Sequence, residues 1–251
     1  MSDLFADIRN GVVLAELGGY GDGPYCAQYG AGAALALLGT YLVDAGDQVP
    51  YPRTFVFKPG RAQYRNYLRE HVAAARRGAQ RAGVSVICVN PADDIDFLLA
   101  AQEAGADYLS LCLHSVMTMF VSRGLSSAML RREHWPPLRE HLTAILHTVD
   151  RPLIVKIPAS DAPDSLGAVE QMVDAGVKIV HANVGHAVAP HGLTLIRKLH
   201  EHCPFLIIGG GIRTSEHAHA VIKAGADAVA VATAAMTDPT LCGRLQAALR
   251  E

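Results

Sequence analysis

A chain of 251 residues with 50% hydrophobic content is long enough to bury one large α/β core, and residues 1–251 are expected to form a single domain. A formal net charge of −2 excludes a globally basic nucleic-acid binder, while five cysteines without a Cys-x-x-Cys pair exclude a disulfide framework or an iron–sulfur cluster and fit a reducing cytoplasm. The opening residues Met1 to Asp7 lack the basic-then-apolar order of a signal peptide, and the weakly polar run from Gly30 to Val43 is too short and too rich in glycine to span a bilayer.

Apolar, β-branched runs predict strands at Val12–Glu16, Ala33–Leu38, Ser85–Val89, Tyr108–Cys112, Leu153–Ile157, Ile179–Asn183, Phe205–Ile208 and Ala228–Val231, with helical segments in most of the gaps. Four phrases repeat: Ala82-Gly83, Ala104-Gly105, Ala175-Gly176 and Ala224-Gly225 each precede a strand, as if an amphipathic helix ended on its glycine. The arginines at 76, 77 and 81 read as the solvated face of such a helix. A repeated βα unit with eight strands predicts a closed (β/α)8 TIM barrel, the alternative being a doubly wound open sheet, whose phosphate fingerprint would follow its first strand. Two connections are long, Gly39 to about Gly60 after the second strand and Leu113 to Pro137 after the fourth, and both are candidate lids or simple covers of the barrel end.

Glycines Gly209, Gly210 and Gly211 close the seventh strand just ahead of a helix expected near Ser215, an arrangement that aims free N–H groups and a positive dipole end at an anion. Arg213 and, after the eighth strand, Thr233 complete a predicted phosphate cradle. Lys156 lies within the fifth strand, where a buried ammonium needs an anionic partner, supplied either by a ligand or by a carboxylate such as Glu16. His114 and Ser115 follow the fourth strand, where an imidazole can act in proton transfer and a hydroxyl can act in chemistry or cap a turn. Tyr20, Asp22 and Tyr41 are expected around the first two strand ends, lining a pocket or packing. His181, His186 and His191 recur at five-residue intervals, a spacing that matches no metal-ligand pattern, so no metal is expected; His181 is placed against a ligand and His186 in a contacting loop.

Taken together, these strand ends resemble the FMN-dependent TIM barrels that include tRNA-dihydrouridine synthases and dihydroorotate dehydrogenases, and especially short archaeal-type dihydrouridine-synthase-like barrels. The segment Val13 to Asp22, the strand Val155-Lys156-Ile157, the strand Ile179 to Asn183 and the glycine-rich cradle carry the likeness. It implies FMN held by Ala15, Leu17, Lys156, His181, Asn183, Gly209, Gly210, Gly211, Arg213 and Thr233. The activity it implies is an oxidoreductase moving a hydride between the flavin and a small unsaturated ring, with Ser115 or His114 as proton donor or acceptor and Glu16, Tyr20, Asp22, Tyr41, Cys112 and His186 near that ring. Where dihydrouridine synthases carry Asn-x-Gly-Cys-Pro, this chain has Cys112-Leu113-His114-Ser115-Val116, so the acid cysteine is replaced by Ser115. Little chain follows the eighth helix, so neither an appended tRNA-gripping domain nor a nucleic-acid substrate is expected, whereas a homodimer fits barrels of this type. One alternative is a flavin-independent phosphate-binding barrel, a lyase, isomerase or synthase using Lys156; another is a catalytically reduced relative that binds a nucleotide or flavin as a sensor.

Overall fold

The computed structural model describes residues 5–44, 51–87 and 89–250. Eight parallel strands close on themselves: β1 (Gly11–Leu14), β2 (Leu35–Val43), β3 (Arg81–Ile87), β4 (Tyr108–Cys112), β5 (Leu153–Pro158), β6 (Ile179–Asn183), β7 (Phe205–Gly209) and β8 (Ala228–Val231). Each pairs with its chain neighbours, and β1 closes the ring by pairing with β2 through Val13 and Leu35 and with β8 through Gly11 to Leu14. Helices Arg65–Ala75, Pro91–Glu103, Trp135–Thr148, Pro163–Asp174, Pro190–His202 and Ser215–Lys223 cover the outside. This is the (β/α)8 TIM barrel expected from the repeat.

Three of the four repeated glycines end helices in the left-handed region, Gly105, Gly176 and Gly225 at φ +93°, +106° and +115°. Gly83 does not. The helix before it stops at Ala75 and Arg81 already belongs to β3, so the run 76–81 is a turn entering a strand and not one helix face. Gly83 is small for a packing reason, since a Cβ there would stand 2.6 Å from Leu37 and 3.0 Å from the Tyr108 carbonyl.

Strand β2 runs five residues past its expected end, and its pairing with β3 slips between Leu38 and Tyr41. A bulge reverses which side chains face inward. Thr40 therefore reaches the barrel mouth, while Tyr41 is fully buried on the outer face, stacked on Phe55 at 5.0 Å and tilted against Phe97 at 5.8 Å. A two-residue strand, Val56–Phe57, adds to the end of β2, which the sequence did not predict. The other long connection holds a short helix, Thr118–Val121, and two 3-10 turns.

Alternation along the strands separates two cores. Ala36, Leu38, Val84, Val86, Leu109 and Leu111 pack outward under the helices, and Val13, Leu35, Leu37, Tyr108, Ile154, Ile179, Phe205 and Ile207 fill the interior. The lower end is plugged by the chain's first described turn: Phe5 meets the Phe205 ring edge-on at 5.3 Å, the Arg9 guanidinium lies 5.1 Å from that ring, and Arg9 pairs with Asp227. The last helix, Leu241–Ala248, ties back to β1 by Gln246 Oε1, which accepts from the Val12 amide at 2.9 Å. Among the described residues no helix is long and apolar enough to cross a membrane. Phe205→Ala, which empties the interior's lowest layer, is expected to cost about 3–5 kcal/mol in urea unfolding, and a loss below about 1 kcal/mol would show that this layer is not packed as described.

Candidate active site

Two residues further along the same inward-facing rows, the barrel changes from apolar to polar. Tyr108 is followed by Ser110 and Cys112, Ile154 by Lys156, Ile179 by His181 and Asn183, and Gly83 by Ser85. Glu16, just beyond β1, drops its carboxylate into this layer. Its Oε1 accepts from Ser85 Oγ at 3.2 Å and from Ser110 Oγ at 3.3 Å. Lys156 Nζ stands 3.2 Å from Oε2 in an ion pair and donates to the Glu16 carbonyl at 3.5 Å. His181 Nδ1 lies 3.9 Å from the same Oε2 and has no hydrogen-bond partner among the described residues. Side chains from four strands thus converge on one buried carboxylate at the end of a fifth.

Electrostatics follow from that convergence. Burial pushes the Glu16 carboxyl up, but the charge of Lys156, joined by hydrogen bonds from Lys156 and the backbone, outweighs it and holds the group below the usual carboxylate range. Burial, reinforced by Lys156, drives His181 down to about 3, so its imidazole is neutral near pH 7. His114 is lowered for the same two reasons, and the Cys112 thiol is raised by burial and by Glu16. The layer therefore presents one ionised carboxylate, one lysine, two neutral imidazoles and an undissociated thiol.

Above it opens a cavity of about 560 Å³ at the C-terminal ends of the strands. On one side are Gly209, Gly210, Gly211 and Arg213 after β7 and Ala232, Thr233 and Ala234 at a short helix, Thr233–Thr237, after β8. Gly210 has φ +125°, and a Cβ there would meet the Val184 carbonyl at 2.9 Å, because the loop after β6 is pinned to the cradle by the Ala187 amide donating to the Gly210 carbonyl at 3.2 Å. This is the position at which TIM barrels commonly hold phosphate, the loops after strands seven and eight with a short extra helix. On the other side are Leu17, Thr40, Tyr51, Ile87 and Ser115. Tyr51 donates to the Thr40 carbonyl at 2.7 Å and so roofs this end.

The structure brings together in this cavity Ala15, Glu16, Leu17, Cys112, His114, Ser115, Lys156, His181, Asn183, Gly209, Gly210, Gly211, Arg213 and Thr233. Asn183 Nδ2 lies 2.8 Å from His114 Nε2, and since an amide nitrogen only donates, that ring nitrogen accepts. Ser115 lines the cavity while its Oγ accepts from the Met117 amide at 3.3 Å, the turn-capping alternative. Four predicted residues do not line it. Tyr20 is exposed and Asp22 caps the helix Gly23–Tyr29 by accepting from the Tyr25 amide, which carries both away from the mouth. Tyr41 is turned outward by the bulge, and His186 is exposed with its ring 6.4 Å from that of His191. Among the described residues no three His, Cys, Asp or Glu are grouped to hold a metal. Cys88 lies outside the described residues; Cys26, Cys112, Cys203 and Cys242 are free and buried. Thr40, Tyr51 and Ile87 were missed. Gly39 within an apolar run is the one signal that could have shown the bulge that delivers Thr40.

Comparison with known proteins divides along the same line. A family model described as histidine biosynthesis protein matches residues 160–251, the part of the barrel that carries the cradle. A geranylgeranylglyceryl phosphate synthase from Methanopyrus kandleri is 35% identical over 77 residues, 30% of this chain and 32% of that protein, so the match spans about a third of the relative's length. Among solved structures, a DHODH from Eimeria tenella in complex with ferulenol superposes with a TM-score of 0.68 at 18% identity over 95% of this chain and 80% of that one. A FabK M276A mutant from Thermotoga maritima gives 0.58 at 15% identity over 92% and 63%. At these identities the structural likeness shows the fold alone.

The resemblance to FMN-dependent barrels, and FMN as cofactor, are corrected by these sequence matches, neither of which is to a flavin enzyme. The site agrees with the correction. The lysine assigned to an anionic flavin edge has a partner of its own in Glu16, so its burial does not call for a flavin.

Lys156→Met should cost about 3–5 kcal/mol in urea unfolding because it strands the Glu16 charge, and combining it with Glu16→Gln should recover most of that loss; additive costs would show that the pair is uncoupled. His181, lowered to about 3 in the fold from the ordinary 6.5, should make the protein less stable as pH falls from about 6.5 toward 3, because only the unfolded chain takes up that proton. His141, lowered to about 4 by burial, acts in the same direction. His181→Asn should reduce the slope of stability against pH in that window by up to about 1.4 kcal/mol per pH unit, and an unchanged slope would contradict a neutral buried imidazole.

Proposed function

We propose that this barrel is a flavin-independent, phosphate-binding enzyme, a synthase, isomerase or lyase acting on a small phosphorylated substrate. The observation that carries the proposal is the joining of a phosphate cradle and a buried Glu16, Lys156 and His181 layer in one cavity. The family match to residues 160–251 supports it, as does the relative whose name specifies a glyceryl phosphate product. A cavity of about 560 Å³ suits a compact ligand.

In this proposal the phosphate rests on the backbone at Gly209 to Gly211 and at the start of the Thr233–Thr237 helix, with Arg213 adding a charge-assisted hydrogen bond from the rim. Binding energy from that end holds the rest of the molecule over the polar layer. There Lys156 meets developing negative charge or forms a covalent bond, the ionised Glu16 accepts protons, and the neutral His181 and His114 donate hydrogen bonds without adding cations. Tyr51 and Leu17 shield the reacting end from water.

Inorganic phosphate is the direct probe. At roughly 100 times its dissociation constant it should stabilise the fold by about 2.7 kcal/mol, visible as a rise in Tm of several degrees. Arg213→Gln, at an exposed position that leaves the fold intact, should weaken that binding about tenfold or more. A Tm indifferent to phosphate would end this proposal.

A further inference from the structure

We infer that the substrate carries an aldehyde or ketone carbon which Lys156 captures as an imine, with Glu16 storing the proton of that step; the inference rests on the phosphate-site proposal above. Four features of the floor lead to it. Lys156 lines the cavity at 8% exposure, and among the described residues the polar contacts of its Nζ go to one residue, to Oε2 and the carbonyl oxygen of Glu16. Desolvated lysines held at a cavity floor are the ones that serve as amine nucleophiles. On the phosphate-site proposal the substrate's charge is met by the cradle backbone and Arg213, which also line the cavity, so Lys156 serves the other end of the substrate. Ser85 and Ser110 anchor Oε1 of Glu16, so Oε2, which faces Lys156, is the oxygen able to exchange a proton.

The step balances without a co-reactant. The lysine passes a proton to Glu16, and its freed lone pair forms a nitrogen–carbon bond as the carbonyl π pair moves to oxygen. A proton shifts from nitrogen to that oxygen, Glu16 returns its own proton, water leaves and the carbon–nitrogen double bond forms. The net change is ammonium plus carbonyl to protonated imine plus water. One cation faces one carboxylate before and after, so the buried layer never holds an unpaired charge.

Size narrows the class. His181 Nδ1 is 3.9 Å from Glu16 Oε2, while its Nε2 would stand 3.3 Å from a Cβ placed on Gly209. A single imidazole therefore spans from the carboxylate to the first cradle glycine, and the carbonyl and phosphate of the substrate must be joined by a short chain. The class is small carbonyl monophosphates.

Dihydroxyacetone phosphate and glyceraldehyde 3-phosphate, each incubated with the full chain and sodium borohydride, probe this directly by peptide mass mapping. At least one should leave a reduced adduct on Lys156, absent from Lys156→Arg, which keeps the charge. Labelling should be suppressed by inorganic phosphate and be about tenfold weaker with unphosphorylated dihydroxyacetone. Glu16→Gln, which keeps the lysine, should slow adduct formation about tenfold or more. No adduct on Lys156 with either probe, or labelling no greater than at the exposed Lys58, Lys178, Lys198 and Lys223, overturns the inference. If phosphate still raises Tm in that case, the phosphate site stands and only the imine falls. An adduct that phosphate neither suppresses nor accompanies with a Tm rise would instead remove the phosphate site and, with it, this substrate class.

Discussion

The ion pair between Glu16 and Lys156 is the constraint on which the upper barrel depends. Two charges taken from water need each other and further hydrogen bonds, and the strands around them are composed accordingly. Ser85 and Ser110 occupy interior positions that other barrel layers fill with bulky residues, because each must be small and carry a donor for Oε1. Ala15, Ala230 and Gly209 leave the room that becomes the cavity. His181 stays neutral in the same layer because a second cation beside Lys156 would be uncompensated, which the burial and the lysine together enforce.

The barrel divides its work by position. Strands β6 to β8 and their loops, within the stretch matched by the histidine biosynthesis family model, build a backbone cradle whose demands are conformational. Such cradles recur on barrels of many activities, so they identify a ligand group and not a reaction. Ser85, Ser110 and Lys156 on strands β3, β4 and β5, with Glu16 just beyond β1, form the buried polar layer to which the proposal assigns the chemistry. The likeness to flavin barrels drew on both parts. Its flavin reading is overturned by the sequence matches, and the charge of the lysine on β5 is answered by Glu16, just beyond β1.

Legibility in the sequence follows the range of the forces involved. The βα repeat, the barrel and the cradle are local: a helix-ending glycine such as Gly176, an apolar run such as Phe205 to Ile208 and the triple glycine after it declare themselves within a dozen residues. Lys156 and His181 were visible as odd residues in apolar strands. Tyr41 was misplaced because a bulge two residues earlier reversed the faces of β2, and Gly83 because a glycine that ends a helix and one that makes room for Tyr108 look alike in sequence. Thr40, Tyr51 and Ile87 carry no sign of their own, being ordinary residues brought to the mouth by neighbours.

From its sequence alone, this chain reads as a parallel α/β barrel with small residues at the ends of its seventh and eighth strands, because periodicity and backbone freedom are properties of short segments. Only the tertiary structure decided that Glu16 answers Lys156 across 140 residues of chain, that His181 stands neutral between that pair and the glycine-rich loop, and which aromatic residues face the cavity. Those are questions of which charge lies within a few ångströms of which other in a space without water. The answer depends on strand register, closure and one bulge, none of which is written in any single segment.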